Sequence, residues 1–491
     1  MALGSDMLSK LQAPSRLEDL GVPAGLAEDL FARRVLTDRS TTIGKAAAAL
    51  GISHAVGEQI AVSLRDKALV DYLGIDGRDY RVTLTEQGFR TTTERMSKGQ
   101  HVAAMPVSLR DYQTLVKLQR SEVTLNRQLV KQAFADMVIE DRILDQIGPA
   151  FVSGGAIFIY GPPGTGKTSL AERMARIYND TVLIPRYVTV DGQLISVYDP
   201  SMHIADEEQP SNLDPRWVLC QRPLVVVGGE LTLDMMELRY DTLSGVSAAP
   251  IQMLANNGIL VLDDFGRQSA NPQEILNRWI VPMSQGVDFL RPHSGTKFTV
   301  PFELKLVVST NLDPHSLGDD AFLRRLRNKV YVGPCTDTAF NWILVRVAKK
   351  HQIEVTAEAA GYLNAITKAN LGELRPYVAI DFCQLAGSIC DYDQLPRVLD
   401  QPLIDRVAEL FFVSRPNSTR PTGADRRRGA PGPPTKAKPS QPSTKPPTPD
   451  PAYAVAPQPV GQTRAPSLEG ASARRGAPHP EFGLQPNVAE I

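Results

Sequence analysis

Gly161-Pro162-Pro163-Gly164-Thr165-Gly166-Lys167-Thr168 is the stretch on which the reading of the chain turns. It is G-x-x-x-x-G-K-T, preceded by the apolar, strand-like run Ala156 to Tyr160 and followed by helix formers from Ser169 to Ile177. Strand, loop, helix is the context this pattern requires. The glycines let backbone N–H groups close around phosphate oxygens, and the helix that follows aims its positive end at them. Lys167 reaches toward the β and γ phosphates, while the Thr168 hydroxyl is suited to Mg²⁺. Gly161, Pro162, Pro163, Gly164, Thr165, Gly166, Lys167, Thr168 and the adjoining Ser169 are therefore the candidate ATP-binding residues. A dinucleotide-binding G-x-G-x-x-G reading fails, because Lys and Thr stand where that fold needs a close glycine approach.

Two further runs fall downstream. Gly258-Ile259-Leu260-Val261-Leu262-Asp263-Asp264 is an apolar strand ending in two carboxylates, which reads as a buried parallel strand whose carboxyl end lies beside the phosphate loop. Asp263 then becomes a metal candidate with Thr168, and Asp264 a candidate for polarising the attacking water; the bland alternative is an acidic turn. Leu304 to Asn311 is a second apolar strand, ending in an amide. Inserted between the loop strand and the acidic strand, it would carry Asn311 to the γ-phosphate, although Asn is also a common turn residue. The arginines of Asp319 to Arg327 are either a solvated helix face or a guanidinium supply for a neighbouring nucleotide.

This ordered set resembles the AAA+ ATPases over residues 106 to 413. Gly161 to Thr168 match Walker A, Leu260 to Asp264 match Walker B, Asn311 matches sensor 1, and Arg325, with Arg324 second, matches the arginine finger. The resemblance implies an α/β fold, a P-loop doubly wound parallel sheet followed by a helical lid. It implies catalysis by Lys167, Asp264, Asn311 and Arg325, with ATP at the subunit interfaces of a homo-oligomeric ring, usually a hexamer, and remodelling of a bound protein client. Asp263-Asp264 replaces the usual Asp-Glu and is similar to replication initiators and helicase loaders. Gly372-Glu373-Leu374-Arg375 fits the loose sensor 2 pattern, with Pro376 disfavouring helical geometry at Arg375. The long interval from Val182 to Tyr240, with Gly286 to Pro301, looks similar to insertions of the MoxR-like and enhancer-binding branches, which project from the ring. Met235, Met236 and Leu238 there are either a client surface or core.

The first hundred residues read as three helices (Gly25 to Leu36, Thr41 to Leu50, Ser53 to Leu69) and a hairpin, the order of a winged helix. They hold 13 basic and 13 acidic residues, so no net field draws them to nucleic acid. In the third helix His54, Glu58, Gln59, Ser63 and Arg65 point outward, and protein contact or DNA contact both stay open. The rival to a client remodeller is a DNA-bound regulator or loader that uses ATP as a switch; a nucleotide-binding scaffold is the third reading.

Composition separates the parts. The chain has 491 residues, with 53 Lys+Arg against 54 Asp+Glu. Of its 38 prolines, 17 follow Val413. From Ser414 to Ile491 there are 11 basic and 5 acidic residues, or +6, leaving 42 against 49, or −7, for the rest. Residues 414–491 hold two aromatics, Tyr453 and Phe482, and read as a disordered, extended basic tail. The expected domains are 1–100, 101–332, 333–413 and 414–491. No signal-peptide pattern or long apolar run is present, so a cytoplasmic protein without membrane contact is expected. Cys220, Cys335, Cys383 and Cys390 form no CxxC, which disfavours zinc and disulfides.

Overall fold

Four short, largely apolar runs and the mixed run Asn328 to Tyr331 make the central sheet: β1 (Ile157–Tyr160), β2 (Leu224–Val227), β3 (Ile259–Leu262), β4 (Lys305–Thr310) and β5 (Asn328–Tyr331). These strands come from a computed structural model that describes residues 12–97, 99–102, 104–120, 125–293, 295–317 and 326–412. The expected disordered tail, 414–491, lies outside the described residues, as do Arg324 and Arg325. The strand order is β2-β3-β4-β1-β5, and every pairing is parallel. Both faces are buried, as in parallel sheets generally. Phe158, Leu260, Leu262, Leu306 and Val308 face one core, which Trp279 and Ile275 of the helix Pro272–Gln285 close. Ile157, Ile159, Ile259, Val261 and Val307 face the other, which the helices Asp141–Val152 and Lys167–Arg173 cover.

The run Leu224 to Val227, assigned from sequence to the inserted region, is instead a strand of this sheet. It pairs residue for residue with β3, Val227 opposite Leu262. Four consecutive apolar residues between Pro223 and Gly228 look alike in either place, and only the pairing partner distinguishes them.

Much of the rest of the inserted region is strand, with residues 199–216 its longest stretch of turns and irregular chain. Thr181–Pro185 pairs antiparallel with Trp217–Gln221. A second five-stranded sheet runs Arg239–Asp241, Val246–Ala248, Gln193–Ser196, Tyr187–Val190, Val107–Ser108. These strands and the hairpin Val287–Leu290/Phe298–Pro301 enclose their own core, in which Val182, Val188, Ile195, Val218 and Leu290 pack on Tyr112 and Leu115. Met236 is fully buried under the central sheet, Met235 packs against that core and Leu238 against the second one, so this segment is core.

The amino-terminal elements are helices Ala24–Asp38, Ile43–Leu50 and His54–Asp66, then strands Val70–Asp76 and Asp79–Leu84. Thr41–Thr42, expected to open the second helix, is a short strand against Val82 and Arg81, and the Thr42 side chain caps the helix by accepting from Lys45 N–H. Ile52, Val56, Ile60 and Leu64 are buried. Met105, Leu194 and Val246 join this core, so these amino-terminal elements rest on the second sheet. Arg216 fastens the two: buried, and paired with Asp214 at 2.8 Å, it donates to the carbonyls of Leu20 at 3.0 Å and Pro106 at 3.2 Å. After β5 come the lid helices Asp337–Lys350, Ala357–Leu371, Pro376–Asp393 and Gln401–Phe411 around a core of Phe340, Leu363, Phe382 and Ile404. Cys383 and Cys390 are buried in it, and burial pushes the Cys383 thiol up to about 12. Among the described residues, no helix is long and apolar enough to cross a membrane, and no cluster of three metal-ligating side chains occurs.

The link from the amino-terminal elements to the second sheet carries a buried imidazole. His101 stacks edge-on against Tyr187 at 4.6 Å, and its Nε2 has no hydrogen-bond partner. Burial, then the Arg33 charge, hold it down to about 4. A folded-state value below the unfolded one near 6.5 means that the unfolded chain binds the extra proton between these pH values, so stability rises with pH across that window. The contribution is complete above pH 6.5 and lost as pH falls toward 4, with an upper bound of about 3 kcal/mol. Thermal melts of wild type and His101→Phe between pH 7 and pH 4 should show a shallower acid decline in the variant; parallel curves would contradict the assignment.

Candidate active site

The phosphate loop leaves β1 at Gly161, whose φ of +146° and whose contact distance, 2.2 Å from a Cβ position to the Val332 carbonyl, admit no side chain. The loop is tied internally. The Pro162 carbonyl accepts from Thr165 Oγ1 at 3.0 Å and from Lys167 Nζ at 2.7 Å. Gly166, at φ +92°, is the N-cap of Lys167–Arg173, which puts Lys167, Thr168 and Ser169 in the first turn.

From this base the side chains converge. Thr168 Oγ1 donates to Asp263 Oδ2 at 2.8 Å. Lys167 Nζ donates to Asn311 Oδ1 at 2.6 Å, and Asn311 Nδ2 donates to Asp264 Oδ1 at 2.5 Å. The adjacency follows from topology, since β4 lies between β1 and β3 and all three carboxyl ends point the same way. Burial lowers the Lys167 ammonium from its usual range, the Asp263 and Asp264 charges pull it back up, and Arg375 adds a further lowering. A strained turn aims the second carboxylate: Asp264 has φ +46°, a left-handed conformation that Asp tolerates better than bulkier residues. Gln268 holds that turn, donating to the Asp263 carbonyl at 3.1 Å and accepting from Gly266 N–H at 2.7 Å.

Arg375 approaches from the lid. It is extended, at φ −124° and ψ 137°, and is the N-cap of Pro376–Asp393 with Pro376 at the first helical position. The following proline, which excludes the helical conformation from Arg375, thus places the residue at the mouth of the helix. Its guanidinium pairs with Glu373 at 2.6 Å and donates to the Pro163 carbonyl at 3.3 Å. Next to it, Tyr377 N–H donates to the Gly164 carbonyl at 3.3 Å, and the Tyr377 ring lies over Gly164. A cavity of about 350 Å³ opens beside the loop, between Met137 to Ile139, Ser169, Gly333 and the lid residues Ile343 and Ile380. Tyr377 and Gln268 escape a motif-based reading because they act through backbone groups and turns. No local pattern around them marks their distance from the loop.

Lys167, Thr168, Asp263, Asp264 and Asn311 are therefore in direct contact, and Arg375 reaches the loop. The Thr168 hydroxyl beside the Asp263 carboxylate is a hard-oxygen donor pair that fits Mg²⁺, and a loop rich in glycine with one lysine fits a polyphosphate.

A family model described as a domain of unknown function (DUF8689) matches residues 336–410, the lid helices. No curated protein matches the chain. Among solved structures, a proline-to-glycine point mutant of RuvB from Thermotoga maritima is similar at a TM-score of 0.32 and 15% identity, over 58% of this chain and 70% of that one. The Thermotoga maritima RuvB Holliday junction branch migration motor is similar at 0.32 and 15%, over 60% and 72%. NtrX from Brucella abortus in complex with ADP is similar at 0.35 and 13%, over 65% and 58%. With likenesses this distant, the chemistry of the chain rests on the contacts described above.

The contact between lid and loop is open to test. A Cβ at Gly164 would lie 2.2 Å from Tyr377 Cδ1, at a φ of +77° that costs an L-residue about 1–2 kcal/mol. Gly164→Ala should weaken ATP binding about tenfold or more in a fluorescent-nucleotide titration, and adding Tyr377→Ala should restore part of the loss. Unchanged affinity in the single variant would mean that the loop does not bind nucleotide in this conformation.

Proposed function

We propose that the chain is an AAA+-type ATPase that hydrolyses Mg-ATP to ADP and phosphate, works as a homo-oligomeric ring, and uses the cycle to remodel a protein client. The observation that carries this reading is the unbroken chain of contacts from Lys167 through Asn311 to Asp264, beside the Thr168–Asp263 pair. Lys167 would neutralise the β and γ phosphate oxygens. The loop N–H groups would hold those phosphates, and the apolar cavity beside the loop suits a nucleoside. Thr168 and Asp263 would hold Mg²⁺, which when bound would neutralise negative charge on the phosphates. Asp264 and Asn311 would orient water against the γ-phosphate, Asp264 accepting its proton. Arg375 would report the nucleotide state to the lid through Pro163. Arg325, or Arg324, from a neighbouring subunit would complete the charge stabilisation.

For the winged helix, protein contact is favoured over DNA by one set of observations. Most of the outward groups of His54–Asp66 are already engaged: His54 with Asp79 at 3.1 Å, Gln59 with the backbone of Ser15 and Leu17, Ser63 with Glu28 at 2.7 Å, and Arg65 over the Tyr72 ring at 4.9 Å. Glu58 stays exposed and would repel phosphate. The alternative, a DNA-bound switch, requires the full chain to shift duplex DNA with a steep salt dependence.

Asp264→Asn should lower turnover about 100-fold or more while leaving ATP affinity within a few-fold of wild type; a wild-type rate would remove Asp264 from the chemistry. Arg325→Ala should bind ATP normally in a thermal-shift assay yet lose turnover, and mixing it with Lys167→Ala subunits should recover activity. Full activity of Arg325→Ala alone would exclude a shared site built on that residue.

A further inference from the structure

A second concavity, of about 750 Å³, lies at the opposite end of the central sheet. Gly154 to Ala156, entering β1, Gly258, entering β3, and Lys305, opening β4, line it, so it stands one strand length, roughly 13 Å, from the phosphate loop. Four lining side chains are cations, Lys117, Arg120, Arg222 and Lys305, against one carboxylate, Glu303.

The cations are not equivalent. Arg222 is buried and satisfied, with both Asp180 oxygens at 2.6 Å and its guanidinium 5.0 Å over the Tyr178 ring. Arg120 is 73% exposed and reaches Glu303 only at 3.5 Å, and Lys117 is exposed. Lys305 is the anomaly. Its ammonium donates to the Phe151 carbonyl at 2.8 Å and lies 5.3 Å from the Phe151 ring, and among the described residues no carboxylate pairs with it. Burial alone pushes it down to about 8. A half-buried cation held by one carbonyl and a ring face is under-compensated, and an anion in the cavity would offset its desolvation. The wall beside it is aromatic, Phe151 and Tyr178 lying 5.4 Å apart.

We propose that this cavity binds a small anionic ligand, its phosphate or carboxylate group taken by Lys305 with Lys117 and Arg120, and its planar body lying against Phe151 and Tyr178. The site is separate from the phosphate loop and does not depend on ATP hydrolysis. It abuts the amino ends of β1 and β4, whose carboxyl ends carry Gly161 and Asn311, so its occupant would bear on the strands that present the catalytic groups.

The probe is pyridoxal 5′-phosphate, an aromatic aldehyde with a phosphate that condenses with a lysine amine, releasing water, and is fixed by borohydride reduction. The full chain is labelled in excess Mg-ADP and mapped by peptide mass spectrometry, which scores Lys167 and Lys305 separately whatever the loop binds. Burial, which holds the Lys305 amine down to about 8, speeds its condensation with any aldehyde, so the readout is the ratio of labelling by pyridoxal 5′-phosphate to labelling by pyridoxal. That ratio should be about tenfold larger at Lys305 than at the exposed lid residues Lys349 and Lys350, the worth of one charge-assisted hydrogen bond from Lys117 or Arg120 to the phosphate. Lys117→Ala/Arg120→Ala, exposed changes that leave the fold alone, should reduce it several-fold. Protection by inorganic pyrophosphate identifies a phosphate site, and protection by benzoate a carboxylate site. A ratio at Lys305 no larger than that at the lid lysines, or unchanged in the double variant, would overturn the proposal.

Discussion

The pairing of β4 between β1 and β3 is the constraint on which the rest of the molecule depends. Val307 lies opposite Ile157 and also next to Val261 in register, so three strands end together. Each then delivers a different functional group to one place: the phosphate loop from β1, the Asp263-Asp264 pair from β3 and Asn311 from β4. Parallel strands buried on both faces leave no freedom of register, because a slip of one residue would turn Phe158, Leu260 and Val308 toward the wrong core. The precision of the hydrogen-bonded chain from Lys167 to Asp264 is thus inherited from hydrophobic packing several ångströms away.

A second dependence couples the amino-terminal elements to the rest of the folded chain. The inserted strands form a folded layer with a core of their own, and the buried Arg216 ties this layer to both Leu20 and Pro106. Removing one partner of a buried pair leaves the other charge unpaired in a medium that solvates it poorly, typically at a cost of about 3–5 kcal/mol. The Arg216 bond to the Leu20 carbonyl and the burial of Met105, Leu194 and Val246 in the amino-terminal core join those elements and the inserted layer into one body. Under the proposed function, this body carries client contacts without a flexible joint at its base.

The two ends of the central sheet differ in how they handle charge. At the carboxyl ends Lys167 faces two carboxylates and an amide, so its positive charge is compensated and its position defined. At the amino ends Lys305 faces a carbonyl and a ring. Sites in open α/β sheets ordinarily occupy the carboxyl ends, where loops converge. A cationic cavity at the other end needs a different origin, and here the ends of the helices Leu109–Leu118, Asp141–Val152 and Pro272–Gln285 contribute its walls.

Much of the site was legible in the chain because its groups lie at the ends of elements that announce themselves. An apolar run stopped by G-x-x-x-x-G-K-T, by Asp-Asp or by Asn is a local pattern, and local backbone geometry makes it a strand followed by a turn. The three helices and hairpin at the amino end and the helices after β5 were legible for the same reason, through hydrophobic periodicity. Leu224 to Val227 was not, because an apolar run carries no mark of the strand it will pair with. Tyr377 over Gly164, Gln268 under the Asp264 turn and the Lys305 cavity were invisible too, since each joins residues distant in sequence or turned by the backbone through contacts that only chain packing creates. The sequence by itself determined which chemical groups the protein has and which strands and helices carry them. Tertiary structure alone decided which of those groups touch, because hydrophobic burial and parallel register, not any local signal, bring the ends of β1, β3 and β4 to one point.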